Sequence, residues 1–220
     1  MDLSLFKACG KNVTVAADAF IEHPECVELG DNVVIMNGFH MSGAPRLCRI
    51  GDNVAFHPNC FVTGSPDRFL VDHHVTFLTG TYISLGDAAG FVEIGHTTHF
   101  APYCVLYGWG GLTIGPYGCI AAHTVFATIG HDYMAADQPM ALAPPKRGPI
   151  TLEEDVWIGA NVTVTANTRI AKGCVIAANA ALTKDTEPRG VYAGVPAKRI
   201  KDRPLGGNPL ERVVPPDPLS

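Results

Sequence analysis

Residues 152–187 read LEEDVW, IGANVT, VTANTR, IAKGCV, IAANAA, LTKDTE, six consecutive blocks of six residues without a gap. Each block opens on an aliphatic residue: Leu152, Ile158, Val164, Ile170, Ile176 and Leu182. The fifth position is always small or β-branched: Val156, Val162, Thr168, Cys174, Ala180 and Thr186. A helix would space its apolar residues by three and four, so a strict period of six is not helical. It predicts one short strand and a turn per block, three blocks per coil, with the opening residue pointing inward.

The same register can be followed toward the N-terminus. It predicts eight coils, which begin near residues 9, 29, 50, 71, 94, 114, 152 and 170. Most early coils are longer than eighteen residues, and bulges at the corners absorb the difference. The step from 114 to 152 is 38 residues, so a long loop must leave the coil between about Thr128 and Pro149. We therefore predict an all-β parallel β-helix over 1–202 and an irregular, Pro-rich tail over 203–220. A β-sandwich of short strands is the alternative, and sandwiches rarely keep such a period.

The composition is that of a globular chain. Of 220 residues, 47% are hydrophobic and 17% charged, and Gly 23 and Pro 17 suit many tight turns. The net charge of −5 argues against a nucleic-acid partner, which needs a clustered basic face. No apolar run is long enough to span a membrane, and MDLSLFKACGKN does not read as a secretory signal. Seven cysteines without a CxxC pair predict reduced thiols, so we expect a cytoplasmic protein.

Several motifs in residues 112–201 carry a family resemblance. They are LTIGPYG (112–118), IGHDY (129–133), VWIGANVTV (156–164), TKD (183–185) and AGVPAKRIK (193–201). With these motifs the chain resembles the hexapeptide-repeat acyltransferases, in particular the sugar O-acetyltransferase branch around maltose, galactoside and O-antigen acetyltransferases. Toward the N-terminus only the period remains. The resemblance implies a left-handed coil, acetyl-CoA as co-substrate, and a homotrimer with active sites between neighbouring prisms.

The long loop is the first place to expect chemistry, because a polar, Pro-rich excursion of this length is usually functional. His131 lies at its base, and histidine is well suited to accept a hydroxyl proton near neutral pH. In related enzymes the Gly-His pair at this point carries the catalytic base, which implies that role for His131. The alternative is a histidine that caps the loop by hydrogen bonds. The group that orients the imidazole is left open among Asp132, Tyr133, Asp137 and a backbone carbonyl; Asp132 is disfavoured because adjacent extended residues point opposite ways.

The resemblance also implies a coenzyme A site on the last coils. The residues that match CoA-contacting positions are Ala160, Ala178, Thr183, Lys184, Lys198 and Lys201. Small residues at the two alanine positions would leave room for the thin pantetheine arm, and the last two lysines would pair with phosphate as point charges. A solvated basic tail is the alternative for those lysines. Trp157 is expected to pack in the core rather than to line the acyl pocket.

The acceptor side is less well defined. The galactoside and maltose branch has an asparagine where this chain has Ala101, which argues against a simple galactoside or maltose acceptor. Tyr103, Tyr107 and Trp109 are instead our candidates for stacking on a sugar, with Trp109 expected to be exposed between glycines. The alternative for Trp109 is a bulge residue that packs on a neighbouring subunit.

We therefore predict an acetyl-CoA-dependent acetyltransferase that acts on a hydroxyl of a sugar or cell-surface polysaccharide precursor. The alternative is N-acetylation of a nucleotide-linked amino sugar, because the same base and groove would serve an amine. A metal enzyme like the γ-carbonic anhydrases is less favoured, since the other eight histidines lack the spacing of a metal site and no metal requirement is expected. A non-catalytic β-helix scaffold would need neither the excursion nor the TKD and VPAK segments.

Overall fold

The computed structural model describes residues 1–134 and 138–204, which form a three-sided prism of stacked parallel strands. Face A contains β1 (Ala8–Cys9), β4 (Val27–Leu29), β7 (Leu47–Ile50), β10 (Arg68–Val71), β13 (Phe91–Ile94), β16 (Leu112–Ile114), β21 (Ile150–Leu152) and β24 (Thr168–Ile170). Face B contains β2 (Thr14–Val15), β5 (Val34–Ile35), β8 (Ala55–Phe56), β11 (Thr76–Phe77), β14 (His99–Phe100), β17 (Cys119–Ile120), β22 (Trp157–Ile158) and β25 (Val175–Ile176). Face C contains β3 (Phe20–Ile21), β6 (His40–Ser42), β9 (Phe61–Gly64), β12 (Tyr82–Gly86), β15 (Val105–Tyr107), β18 (Val125–Ala127), β23 (Thr163–Thr165) and β26 (Ala181–Leu182).

Two antiparallel strand pairs and three short helices complete the described structure. The strands β19 (Ile129–His131) and β20 (Pro145–Arg147) pair outside the prism. The strands β27 (Gly190–Ala193) and β28 (Lys198–Asp202) extend face B beyond β25 and close that end of the prism. The short 3-10 helices are Leu3–Leu5, Pro24–Cys26 and Met140–Leu142. No helix of the described residues is long and apolar enough to cross a membrane.

The prism interior is filled by the residues that the period of six singled out. All six block-opening residues and all six fifth-position residues of 152–187 are buried. Along face B the interior holds an aromatic column in which Phe56, Phe77 and Phe100 stack at centroid distances of 4.7 and 5.0 Å. Phe77 is completely buried at its centre. Burial of this apolar area is the main stabilisation of the fold. Each coil contacts only its neighbours, so this area is buried between successive coils.

The corners between faces turn through left-handed backbone conformations. At the corner between faces A and B (the AB corner), Asn12, Asn32 and Asn53 have φ near +56°. Asparagine tolerates this region, and here the side chains also bond along the corner: Asn12 Nδ2 donates to Asn32 Oδ1 at 3.1 Å, and Asn32 donates to Asn53 at 3.0 Å. The corner between faces B and C (the BC corner) repeats this pattern, as where Asn161 Nδ2 donates to Asn179 Oδ1 at 2.9 Å. At the corner between faces C and A (the CA corner), the positive φ values fall largely on glycines, including Gly43, Gly64 and Gly86.

The outer surfaces of the three faces differ in charge. The strands of face A carry Glu28, Arg49, Arg68, Glu93 and Arg169, and ion pairs link neighbouring coils, as between Arg49 Nε and Glu28 Oε2 at 2.9 Å. The 24 prism strands place no Asp, Glu, Lys or Arg on faces B and C. Aromatic side chains are exposed there instead. Face A is thus suited to water, and the other two faces are suited to contact.

The predicted fold is confirmed: eight coils stack with one excursion, at the starts that the period indicated. The predicted tail begins at 203, and residues 205–220 lie outside the described part of the chain.

Candidate active site

The excursion is a hairpin arm that leaves the prism at the CA corner. We call its described residues, 129–134 and 138–147, the arm. Its two strands pair with the register Ile129 with Arg147, Gly130 with Lys146, and His131 with Pro145. A side chain placed at Gly130 would meet no atom within 4 Å, so the strand that carries His131 stands in open space. The arm therefore presents His131 away from the prism core.

His131 is exposed, and no side-chain hydrogen bond to its imidazole is present among residues 1–134 and 138–204. Its carbonyl accepts from the amide of Tyr133 at 3.1 Å, and the carboxylate of Asp132 accepts from the amide of Met134 at 3.2 Å. Asp132 thus caps its own turn. Asp137, another candidate partner, lies outside the described residues.

A buried threonine fastens the base of the arm to the prism. Thr128 has no exposed surface, and its hydroxyl donates to the carbonyl of Tyr107 at 2.7 Å. The same hydroxyl accepts from the amide of Gly110 at 3.1 Å. The carbonyl of Thr128 accepts from the amide of Gly148, where the chain returns, at 3.0 Å. Both ends of the arm are therefore held at one buried point.

Trp109 lies beside this base. Its indole nitrogen donates to the hydroxyl of Ser84 at 2.9 Å, and a side chain added at Gly86 would come within 3.1 Å of the ring. The guanidinium of Arg147 lies over the ring, 5.3 Å from its centroid. The residue is half-buried, which differs from the exposed side chain expected between glycines. The reason is that the arm returns over it.

The three aromatic candidates for acceptor binding are not one cluster. Tyr103 lies at the BC corner, is exposed, and stacks on His123 at 5.4 Å. Tyr107 ends β15 on face C and is half-buried, whereas Trp109 follows at the CA corner. The strand β15 separates Tyr103 from Trp109, so one chain presents these rings at two edges of face C.

The residues predicted to meet pantetheine do share a corner. Ala160 and Ala178 are exposed at equivalent positions of successive coils on the BC corner, and the carbonyl of Ala160 accepts from the amide of Asn179 at 2.9 Å. Tyr103 and His123 precede them along the same corner. Alanine side chains leave this edge low and its backbone accessible, which fits a thin, amide-rich ligand.

The remaining predicted CoA residues are exposed near the end of the prism. Thr183 and Lys184 follow β26 at the CA corner. Lys198 and Lys201 lie on β28, which sequence reasoning did not recognise as a strand. The turn before β28 lies against the last coil, since the amide of Ala197 donates to the carbonyl of Ala181 at 2.8 Å. The exposure of these lysines is compatible with a phosphate ligand, and the six residues do not converge within one chain.

Trp157 was expected in the core, and that expectation is wrong. Its side chain is 52% exposed on the outer surface of face B, in register with Cys119. The first residue of a two-residue strand points outward when the second points inward, and here Ile158 takes the interior position. The position within the block could have given this result.

Sequence reasoning also missed Arg147 and Asp87. The guanidinium of Arg147 donates to both carboxylate oxygens of Asp87, at 2.8 and 2.6 Å. This ion pair lowers the pKa of Asp87 from 3.8 to about 2, chiefly through the hydrogen bonds from Arg147. The two residues are 60 positions apart in the sequence, so no local motif predicts their contact. The only available signal was the unusually long coil from 71 to 94, which contains Asp87.

No group of three or more His, Cys, Asp and Glu side chains is arranged as a metal site within residues 1–134 and 138–204. The other histidines are distributed along corners and faces, as with His73, which stacks on His96 at 4.8 Å.

Comparison with known proteins gives three findings of different extent. Residues 149–184 match the family described as "Bacterial transferase hexapeptide (six repeats)". A 2,3,4,5-tetrahydropyridine-2,6-dicarboxylate N-acetyltransferase from Staphylococcus aureus (strain JH9) is 43% identical over 60 residues, 27% of this chain and 25% of the relative. The chain thus matches about a quarter of the length of such curated relatives.

Among solved structures, a single-residue variant of AntD, an N-acyltransferase from Bacillus cereus in complex with dTDP and coenzyme A, aligns with a TM-score of 0.50. The sequence identity is 20%, over 91% of this chain and 86% of that chain. The polySia-specific acetyltransferase NeuO aligns with a TM-score of 0.47 and 17% identity, over 89% and 85% of the two chains.

The prism and its period define the class: a left-handed parallel β-helix built from hexapeptide repeats. Residues 149–184 therefore match the bacterial hexapeptide-repeat transferases, the family that the motifs of this chain resemble.

Proposed function

We propose that this protein transfers the acetyl group of acetyl-CoA to a hydroxyl of a sugar or cell-surface polysaccharide precursor, with His131 as general base. The imidazole accepts the hydroxyl proton while the oxygen attacks the thioester carbonyl. The carbon–sulfur bond then breaks, and the proton passes to the departing thiolate. The products are the acetyl ester and free coenzyme A.

The observation that carries this proposal is the placement of His131. An imidazole is exposed on an arm whose base is held by hydrogen bonds of the buried Thr128, where the chain leaves the regular prism. A scaffold has no use for such an arm. A base needs this combination, because it must reach substrate and still keep a defined position.

We assign coenzyme A to the last coils. The low edge formed by Ala160 and Ala178 would accept pantetheine, with Thr183 and Lys184 beside it and Lys198 and Lys201 toward the nucleotide phosphates. The AntD variant holds coenzyme A on a β-helix of the same kind, which supports a groove ligand of this type.

We further propose that the working unit is a homotrimer in which each site takes parts from two subunits. Within one chain His131 emerges at the CA corner, whereas Ala160 and Ala178 lie at the BC corner across face C. A neighbour packed on face C would bring its own corner to the arm. In this arrangement Tyr103, Tyr107 and Trp109 border the acceptor on either side of face C.

The test compares His131→Ala and His131→Asn with the wild type, by following thiol release from acetyl-CoA with a panel of sugars. We expect both variants to lower kcat by about 10²- to 10⁴-fold, because neither side chain accepts a proton. Asparagine can still form the hydrogen bonds of a loop cap. Full activity in His131→Asn would therefore assign the residue to capping and overturn the proposed base.

The second candidate is N-acetylation of a nucleotide-linked amino sugar. The matched relative from S. aureus is an N-acetyltransferase, and the AntD structure contains dTDP. Both findings support N-acetylation as the second candidate. The sugar panel separates the two, provided that it pairs each nucleotide amino sugar with its hydroxyl analogue. Turnover with the amine alone would replace the O-acetyl assignment.

A further inference from the structure

The arm that carries His131 is joined to the prism at a second place, apart from Thr128. Asp87, Trp109 and Arg147 form this contact, and we call them the arm-base cluster. Arg147 lies on β20, directly opposite Ile129 and two positions along the hairpin from the residue that pairs with His131. A contact that fixes the position of Arg147 therefore also fixes the position of β19, the strand that carries His131.

The geometry of Arg147 is that of a side chain held on two sides. Both of its terminal nitrogens donate to the two oxygens of Asp87, at 2.8 and 2.6 Å, which is the bidentate arrangement that gives an arginine pair its directional strength. The central carbon of the guanidinium also lies over the Trp109 ring, 5.3 Å from its centroid. A lysine could supply the charge there but neither the fork nor the stacking.

The carboxylate of Asp87 is also held by hydrogen bonds within its own turn, independently of the arm. Asp87 Oδ1 accepts from the amide of Ala89 at 3.1 Å, and the amide of Gly90 donates to the carbonyl of Asp87 at 2.8 Å, so a tight turn fixes this carboxylate. The turn consists of residues that lengthen the coil between 71 and 94. These extra residues place a charge beside the arm of a later coil.

We infer that Asp87 and Arg147 are positioning residues for the proposed base: their ion pair, laid over Trp109, holds the arm in the orientation that presents His131. The inference rests on the proposed function only for the role of His131. The attachment itself is a property of the hairpin that can be measured without any substrate.

The first measurement is amide hydrogen exchange of the full-length protein over residues 129–131 and 146–147. Arg147→Ala removes the fork and the stacking, and Asp87→Asn removes the charge but can still accept from the Ala89 amide. We expect both to raise exchange in the hairpin by about tenfold, with exchange in β16 and β21 unchanged. Arg46→Ala is the matched control, because Arg46 also pairs with an aspartate of the next coil at the CA corner, through Nε and Asp67 Oδ1 at 2.7 Å, far from the arm.

The second measurement is steady-state kinetics with the best acceptor. A displaced base should lower kcat by about tenfold or more and leave the KM for acetyl-CoA unchanged, since neither Asp87 nor Arg147 is among the residues proposed to bind CoA. Arg147→Lys should recover only part of the loss. The double variant should be no slower than Arg147→Ala, because the two changes remove the same interaction.

The outcomes separate this inference from the proposed function. Unchanged hairpin exchange in Arg147→Ala overturns the inference, whatever the activity. A loosened hairpin with full kcat shows that attachment does not position the base, and this also overturns it. A loosened hairpin in a protein that acetylates no acceptor would defeat the proposed function and leave the attachment established.

Discussion

At the residue scale, three cysteines show how burial can lower the reactivity of a thiol. Cys48, Cys60 and Cys104 face the prism interior, and burial raises the pKa of Cys48 to about 12 and those of Cys60 and Cys104 to about 11. Cys9, by contrast, is exposed. These raised pKa values keep the three buried thiols protonated near neutral pH. Because the thiolate is the nucleophile, the three thiols are unreactive in that state.

We predict that iodoacetamide at pH 9 alkylates Cys9 at least about tenfold faster than Cys48, Cys60 or Cys104. The ordinary cysteine pKa of 9.0 means that half of an unfolded chain's thiols would be ionised at this pH. The three buried sites should therefore react only after denaturation. Mass spectrometry of peptides from native and urea-treated protein measures this, and equal rates in the native protein would contradict the burial.

The linked effect on stability has a definite sign. Between pH 9 and 11 the unfolded chain releases protons from these thiols and the folded chain keeps them, so the free energy of unfolding decreases as the pH rises through this window. Well below pH 9 both states hold the protons, and the three thiols contribute no pH dependence there.

At the element scale, each coil is stabilised by its contacts with the two neighbouring coils, and on face B the stacked rings of Phe56, Phe77 and Phe100 form such a contact. We predict that Phe77→Ala lowers the free energy of unfolding by about 3–5 kcal/mol, because the cavity opens between two stacked rings. Chemical denaturation measures this. Leu142→Ala, at a 72% exposed position on the arm, is the control and should change stability by less than about 0.5 kcal/mol.

The elements also show what a sequence can and cannot predict here. The coil starts follow from the period of six because each opening side chain, such as Ile158 or Ile170, has one interior position to fill. The same rule predicts that Trp157 points outward, once its place before Ile158 is noticed. Nothing local predicts that Asp87 meets Arg147, since the contact depends on how a bulge in one coil lies beside an arm that leaves two coils later.

The candidate site was predictable to the same degree. His131 follows from the length of the excursion and a Gly-His pair, and the structure places it on an exposed strand. The separation of Tyr103 from Trp109 by β15 follows only from the three-dimensional course of the coil, because the two residues are near neighbours in the sequence.

At the scale of the whole molecule, the unequal faces bear on the homotrimer proposed above. Face A carries the inter-coil ion pairs. Among the 24 prism strands, those of faces B and C contain no Asp, Glu, Lys or Arg. On face C, Phe20 and Phe61 are 49% and 41% exposed, and on face B Trp157 is 52% exposed. A ring of identical subunits joins two different patches, one from each neighbour. We expect face B of one subunit to contact face C of the next.

This arrangement predicts that an arginine introduced on face C disrupts the trimer and that one introduced on face A does not. Val125 lies outward on β18 of face C, and Thr113 lies outward on β16 of face A. Val125→Arg would bury a charge without a partner and should convert a trimer, three times the mass of the 23.4 kDa chain, into monomers. Thr113→Arg should leave the trimer intact. Light scattering after size-exclusion chromatography measures both masses.

Cys119 reports on the same contact from the other side. It is exposed in the single chain, on face B and in register with Trp157. A trimer built as proposed covers Cys119, so alkylation of this thiol should be slow in the wild type and in Thr113→Arg and become fast in Val125→Arg. Because the arm of one subunit then loses the neighbour that completes its site, acetyl transfer should fall together with the trimer mass. A monomeric Val125→Arg that keeps full activity would place the whole site within one chain and remove the reason for the shared corner.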